Sequence, residues 1–412
     1  MNTEFFIAKK IINPDSQRRF SKPIVRISII GIALGLIVMI LTIAISNGFK
    51  DEIRKRISVF GAHIIITNIG SDNSWESSPI SKNQDFLKTL PSKSGIKSIN
   101  EFAFRSAILK TDDEVHGVIL KGVGSDYNWA DMNDLLMEGK TPIYKDSIKS
   151  NEILISSQLS NILRIKPGDK VRAYFIQNIT RQRMFTVSGV YENSLEDFNN
   201  LIFCDLGHIR KVNNWDKDKV GGFEIRIENF NKIEEFGEMI ADDIGFNFHE
   251  DGTYLSVTTI KQKYFHLFDW LAVVDTNTWV ILFLMIVVAA FNMISGLLIL
   301  ILERTNMIGT LKAMGSPNWN IRKIFLYYSI FLIGKGMLWG NIIGIGFCLA
   351  QQYFGFITLD PESYYVSMVP IDINFWQWLF LNLGTFFLTL SSLIVPSYII
   401  ARMDPAKVIR FQ

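Results

Sequence analysis

Four stretches of the chain are almost free of charge. Residues 27–49, 276–302 and 373–401 contain no Asp, Glu, Lys or Arg, and 324–359 contains only Lys335. Each is rich in Ile, Leu, Phe, Val and Gly. A helix needs about 20 apolar residues to cross a bilayer's hydrocarbon core. The pattern therefore predicts four transmembrane helices, at 26–47, 278–302, 324–350 and 375–400. Buried helices of a soluble protein are the competing reading, but they seldom run this far without a charge. The first stretch also has the small-residue ending of a signal peptide at Ala44-Ile45-Ser46, yet its leading segment and apolar run are too long, which favours an uncleaved anchor.

Between the first two apolar stretches lies a segment, 48–275, long enough for its own core. Its texture is α+β. Strands are predicted at 62–67, 115–121, 181–190 and 223–227, the last alternating with period two. The turn Lys166-Pro167-Gly168-Asp169 feeds a further strand, and helices are predicted near 83–90, 152–163 and 231–243. The tract 68–82 is polar and reads as a loop.

Charge sets the orientation. Lys9, Lys10, Arg18, Arg19, Lys22 and Arg26 precede the first span; Arg304, Lys312, Arg322 and Lys323 fill 303–323; Arg402, Lys407 and Arg410 lie in the tail, 401–412. The loop 351–374 has no Lys or Arg but carries Asp360, Glu362 and Asp372. By the positive-inside rule the N-terminal segment 1–25, the loop 303–323 and the tail are cytoplasmic, while 48–275 and 351–374 are outside, in the periplasm of a bacterium. Trp279, Trp376 and Trp378 then sit at the outer membrane edge as interfacial anchors. The chain of 412 residues has a net charge of only +2, which excludes a strongly basic nucleic-acid binder. That value averages unlike parts: 13 Lys+Arg against 4 Asp+Glu inside, and 28 against 33 in segment 48–275. The basic inner face suits anionic membrane lipids.

No enzyme is legible. Two Cys exclude a disulfide scaffold and a Cys-rich zinc module, and with Cys204 in the external segment and Cys348 within the third helix the two are not expected to pair. The five His lack metal-ligand spacing, and His249-Glu250-Asp251 reads as a solvated loop. There is no G-x-S-x-G elbow, and Gly139-Lys140-Thr141 lacks the first glycine of a phosphate loop, since Asp134 stands there. Within the membrane, Lys335 either meets a lipid phosphate or a partner carboxylate or snorkels to an interface, and Asn292 reads as an interhelical hydrogen-bond former.

The loop 303–323 is the most informative stretch. Ile308, Leu311 and Met314 form an apolar stripe on a short helix; Gly315 suits the position after its C-cap, and Ser316 and Pro317 suit the N-cap and first turn of the next helix. Such a helix lies along the inner membrane face or docks into a groove on a soluble partner. Here the sequence, from Glu303 and Arg304 through Ile308, Leu311, Lys312 and Met314 to Gly315, resembles the cytoplasmic signature of FtsX-like permeases of MacB-type ABC transporters. The ending from Pro396-Ser397 through Asp404-Pro405-Ala406 to Arg410 resembles that family's closing motif. Ser46-Asn47-Gly48-Phe49-Lys50-Asp51-Glu52, Leu120-Lys121-Gly122-Val123 and 155–171 are similar to its lipoprotein-releasing subgroup.

The resemblance implies an α+β membrane protein with four transmembrane helices and a large MacB-like periplasmic domain between helices one and two. It implies that ATP-Mg is held by a separate ABC ATPase, that this chain carries no cofactor, and that 304–315 is a coupling helix. A second permease copy or a paralogue would pair through helices one and two, with Gly31 and Gly35 allowing close approach. The acyl chains of a lipoprotein substrate would lie between subunits, against Leu36, Met39, Ile40 and Ile43. A periplasmic lipoprotein carrier would receive the cargo, although the stretch 174–184 is short and lacks Pro, unlike the extended hairpin of carrier-recruiting members. A permease of the same fold driving a periplasmic hydrolase or efflux partner, and a membrane-anchored sensor, are the alternatives.

Overall fold

The computed structural model describes residues 3–12, 21–71, 75–112, 114–145, 148–176, 180–244, 252–360, 364–394 and 396. The chain divides into two compact units. One comprises Met1–Asp51, Trp270–Leu359 and Met368–Gln412; the other comprises Glu52–Asp269 and Asp360–Ser367.

The first unit is helical: Thr3–Ile12 (α1), Ser21–Gly61 (α2), Phe265–Glu303 (α3), Thr305–Ala313 (α4), Asn318–Phe354 (α5) and Phe375–Ser392 (α6). Helices α2 and α3 run on into the second unit at their Gly61 and Phe265 ends. Among the described residues three helices, α2, α3 and α5, are long and apolar enough to cross a membrane. The fourth expected span, 375–400, begins as α6, whose eighteen residues include Gln377 and Asn382; positions 395 and 397–400 lie outside the described residues, as does the expected closing motif from Ser397 onward. The N-terminal helix α1 was not legible as a helix; its Phe5 meets Tyr327 of α5 edge-on, with ring centroids 5.9 Å apart.

Close helix packing comes from glycine. Gly336, Gly340 and Gly344 recur every four residues on α5, and a Cβ on each would stand 2.8 Å from Ile32 Cβ, 3.0 Å from Leu36 Cβ and 3.2 Å from Ile40 Cδ1 of α2. Small residues at this spacing let two apolar helices touch backbone to backbone, where dispersion and not the hydrophobic effect must hold them in lipid.

The described residues of the second unit hold twelve strands: Ile64–Asn68 (β1), Ile80–Ser81 (β2), Ile96–Lys110 (β3), Val115–Val123 (β4), Leu136–Gly139 (β5), Glu152–Ser156 (β6), Lys170–Phe175 (β7), Arg181–Tyr191 (β8), Leu201–Asp205 (β9), Lys219–Val220 (β10), Gly222–Ile227 (β11) and Leu255–Thr259 (β12). Ten form one sheet in the order β12-β1-β11-β3-β4-β9-β6-β8-β5, with β7 joining β3 and β8, and β10 pairs β2 separately. The pairs β4–β9 and β6–β8 are parallel and the other pairs antiparallel. All five residues of β9 are buried, as expected of an interior strand covered on both faces.

Three sequence expectations change here. The tract 68–82, expected as a loop, contains the short strand β2, paired with β10. The helix expected over 152–163 starts only at Ser157; Glu152–Ser156 is the strand β6, because buried Ile153, Leu154 and Ile155 fill a slot between β8 and β9. Ser156 then caps the helix Ser157–Leu163, its hydroxyl accepting from Leu159 N at 3.1 Å. The strand expected from Ala62 begins at Ile64, since Ala62 takes φ 54° as α2 ends.

Candidate functional site

The short helix α4 follows α3 after one residue. Arg304, with φ −100°, breaks the long helix, and Ile308 N donates to Arg304 O at 3.0 Å to restart it. Its other end closes as a full Schellman motif. Met314 is the C-cap, Gly315 takes φ +83°, Gly315 N donates to Lys312 O and Ser316 N to Leu311 O, both at 3.0 Å. Because Ser316 is used in this closure, the next helix starts one residue later than expected: Pro317, with ψ 146°, is the N-cap of α5, not its first turn.

The apolar stripe of α4 also divides. Ile308 is buried among Leu300, Ile301, Ile321 and Phe325, and Met307 and Leu311 pack against the same cluster. Met314, at the cap, leaves helical geometry and is 73% exposed. Trp319, in the first turn of α5 and 58% exposed, was not singled out from sequence; Lys323 lies 5.8 Å from its ring centroid. The helix is thus fastened to the bundle by Ile308 and Leu311, and presents Met314 and Gly315 outward. Glu303 lines a cavity of about 10 Å³ with Ser28 and Tyr328, and Arg304 Nε is buried with no hydrogen bond among the described residues.

The residues expected to face an acyl chain are spent on packing within the chain. Leu36 and Met39 are fully buried, Ile40 is 4% exposed, and Ile43 is half-buried beside them. The cavity that Ile40 and Ile43 line with Ile373, Trp378 and Leu381 has a volume of about 10 Å³, room for one water at most. Among the described residues, the large apolar side chains that α2 presents outward are Ile27, Ile30 and Leu34. Gly31 and Gly35 serve the contact of α2 with α3: a Cβ at Gly31 would stand 2.8 Å from Asn292 Nδ2, and one at Gly35 3.9 Å from Ala289 Cβ. Lys335 is exposed midway along α5, its ammonium 4.5 Å from the Phe331 ring centroid.

A polar cluster that sequence reasoning missed joins α5 to α6. Asn341 Nδ2 donates to Asn382 Oδ1 at 2.7 Å, Asn382 Nδ2 donates back at 3.2 Å, and Trp378 Nε1 donates to Asn341 Oδ1 at 2.7 Å. The motif around Asn47 also acquires physical roles. Asn47 donates to Gln377, a Cβ at Gly48 would fall 2.3 Å from Pro370 O, and Lys50 pairs with Asp275 at 2.5 Å. Among the described residues no group of three or more His, Cys, Asp or Glu is arranged to hold a metal.

The apolar helices, with an α+β unit inserted after the first of them, are the layout that known protein families can be compared with. Residues 27–243 match the MacB-like periplasmic core domain and 279–405 the FtsX-like permease C-terminal part. The chain belongs to the MacB-like periplasmic core family and carries the FtsX-like permease C-terminus of ABC-type permeases. It is similar to the lipoprotein-releasing system transmembrane protein LolC of Buchnera aphidicola subsp. Schizaphis graminum, at 22% identity over 95% of this chain and 94% of that protein. It is also similar to LolE of the same system in Haemophilus influenzae, at 23% identity over 99% of each. Among solved structures, the periplasmic region of MacB from Actinobacillus actinomycetemcomitans matches 50% of this chain and 91% of its own, at 16% identity and a TM-score of 0.32.

Proposed function

We propose that this chain is the permease subunit of an ABC transporter that extracts lipoproteins from the inner membrane for transfer towards the outer membrane. The observation that carries the reading is the nearly end-to-end similarity to LolC and LolE. In this reading the chain spans the membrane four times, with α6 as the last span and both termini in the cytoplasm. A separate ATPase binds and hydrolyses ATP-Mg and docks on α4, where Met314 and Gly315 stand clear of the bundle. This chain supplies no catalytic group.

Two copies, or this chain and a related permease, pair through α2 and α3. The 10 Å³ cavity within one chain is far too small for an acyl chain, so the cargo lies between subunits, against Ile30, Leu34 and their neighbours on α3. Closure of the ATPase dimer narrows that space and lifts the lipoprotein towards the periplasmic unit and a carrier. Photocrosslinking groups placed at Leu34 and Ile43 test this in whole cells. Recovery of acylated lipoproteins from Leu34 is expected, with little from half-buried Ile43. Recovery of phospholipid alone, or of a soluble hydrolase, would contradict it.

A further inference from the structure

The end of α2 is held by a buried ionic cluster in the second unit. The last four carbonyls of a helix have no partner within it and carry the negative end of its dipole. Here Lys121 Nζ, on β4, donates to Phe60 O at 2.6 Å, while Arg226 Nη2, on β11, and Tyr127 Oη each donate to Val59 O at 3.4 Å. Lys121 is fully buried and its ammonium lies 2.6 Å from Glu224 Oε1, itself on a residue only 2% exposed. Arg226 pairs in turn with Asp131. The rings of Phe104, Tyr127 and Phe203 surround the ammonium at 5.5–5.9 Å. Phe60 stacks on Phe198 with centroids 4.8 Å apart, so the penultimate residue of α2 is fixed through side chain and carbonyl together.

Stability alone does not account for this cluster. A buried ion pair seldom outperforms a well-packed apolar pair, because desolvation offsets the Coulomb attraction; burial indeed pulls the Lys121 pKa down while Glu224 pulls it up. What an apolar pair lacks is direction. An ammonium that must satisfy both a carboxylate and one particular carbonyl fixes where α2 ends relative to β4 and β11. Those strands flank β3, the longest in the sheet.

We infer that the Lys121–Glu224 pair is a latch that ties displacement of the first membrane span to the sheet of the periplasmic unit, with Lys121 as a positioning residue for lipoprotein release. The inference rests on the permease reading above. In the latch the load path runs along α2 into Phe60 O, through Lys121 and Glu224, into two strands of one sheet. Breaking it lets the ATPase cycle without moving the sheet.

The test uses the complete permease with its ATPase in proteoliposomes and the double variant Lys121→Met/Glu224→Gln, which leaves no unpaired charge. The readout is lipoprotein released per ATP hydrolysed. A merely structural role lowers the amount of folded complex, hence release and ATP turnover alike, and leaves the ratio unchanged. The latch predicts that the ratio falls at least about fivefold, the lower end of an ordinary coupling free energy, while ATP turnover persists. An unchanged ratio overturns it. Should the double variant fail to assemble, Arg226→Gln, at the rim of the cluster, is expected to lower the ratio in the same direction, and an unaltered ratio there overturns the latch equally. Hydrogen exchange separates this from failure of the release reading. If the wild-type complex turns over ATP but frees no lipoprotein, the permease reading fails; a nucleotide-dependent change in β1 and β11 protection that persists in the double variant overturns the latch itself.

Discussion

His63 makes the second unit acid-sensitive in a calculable way. Its ring sits between the end of α2 and β1, and Nδ1 accepts from Ile227 N at 3.0 Å, which requires the neutral imidazole. Burial, then the Arg226 charge, push its pKa from 6.5 down to about 4. The folded state therefore disfavours the proton, so its stabilising contribution is full above 6.5 and is lost as pH falls towards 4. Taking those two values, the linkage integral between pH 7 and pH 5 is about 2 kcal/mol, reduced where the half-exposed ring edge is screened by water. For a unit of this size that corresponds to roughly 4–8 °C in Tm. The assay is a near-ultraviolet melting series of the detergent-solubilised chain at both pH values, against His63→Asn. Asparagine can still accept from Ile227 but does not titrate; it also loses the edge-on contact with Phe230, a loss that does not depend on pH. The wild type should lose several degrees more than the variant on acidification. Equal losses would refute the assignment of a neutral, pKa-depressed His63.

Met314→Glu should leave thermal stability within about 0.5 kcal/mol, since the side chain is exposed, yet abolish stimulation of the ATPase in a reconstituted complex; undiminished stimulation would remove α4 as the coupling element. Ile308→Glu, by contrast, buries a charge at a site 1% exposed and should prevent recovery of folded chain from the membrane, as judged by size-exclusion chromatography. Gly336→Val should destabilise the bundle by about 1–3 kcal/mol in mixed-micelle denaturation, because even a Cβ there would meet Ile32 Cβ at 2.8 Å. Asn382→Leu removes both halves of the reciprocal amide bond to Asn341 and should cost about 1 kcal/mol in the same assay.

The apolar helices were legible because charge-free runs of this length have few other uses, and the α4 turn because Gly315 must supply a positive φ. The cavity residues were not. Leu36, Met39 and Ile40 look like any apolar face of a span; residues far along the chain, Leu282 of α3 and the glycines of α5, decide that this face is covered. A separation of 41 residues hid the Asn341–Asn382 pair, which sequence presents as two isolated amides. A GxxxGxxxG search along 336–344 would have flagged the α2–α5 contact. In the second unit, β6 was mistaken for a helix because Ile153 and Ile155 fit either period, and the choice is made by β8 and β9 on its two edges. Lys121 was noted only as part of a motif; its burial follows from β4 lying between β3 and β9, which local sequence does not encode.

The central claim is best tested by release itself. The chain is reconstituted with its ABC ATPase, in the subunit combination that copurifies, into liposomes loaded with a triacylated lipoprotein. Lipoprotein is then measured in the soluble fraction with a periplasmic acceptor present. Release that needs ATP hydrolysis and scales with it is the predicted result. Vigorous ATP hydrolysis with every lipoprotein still in the membrane would contradict it.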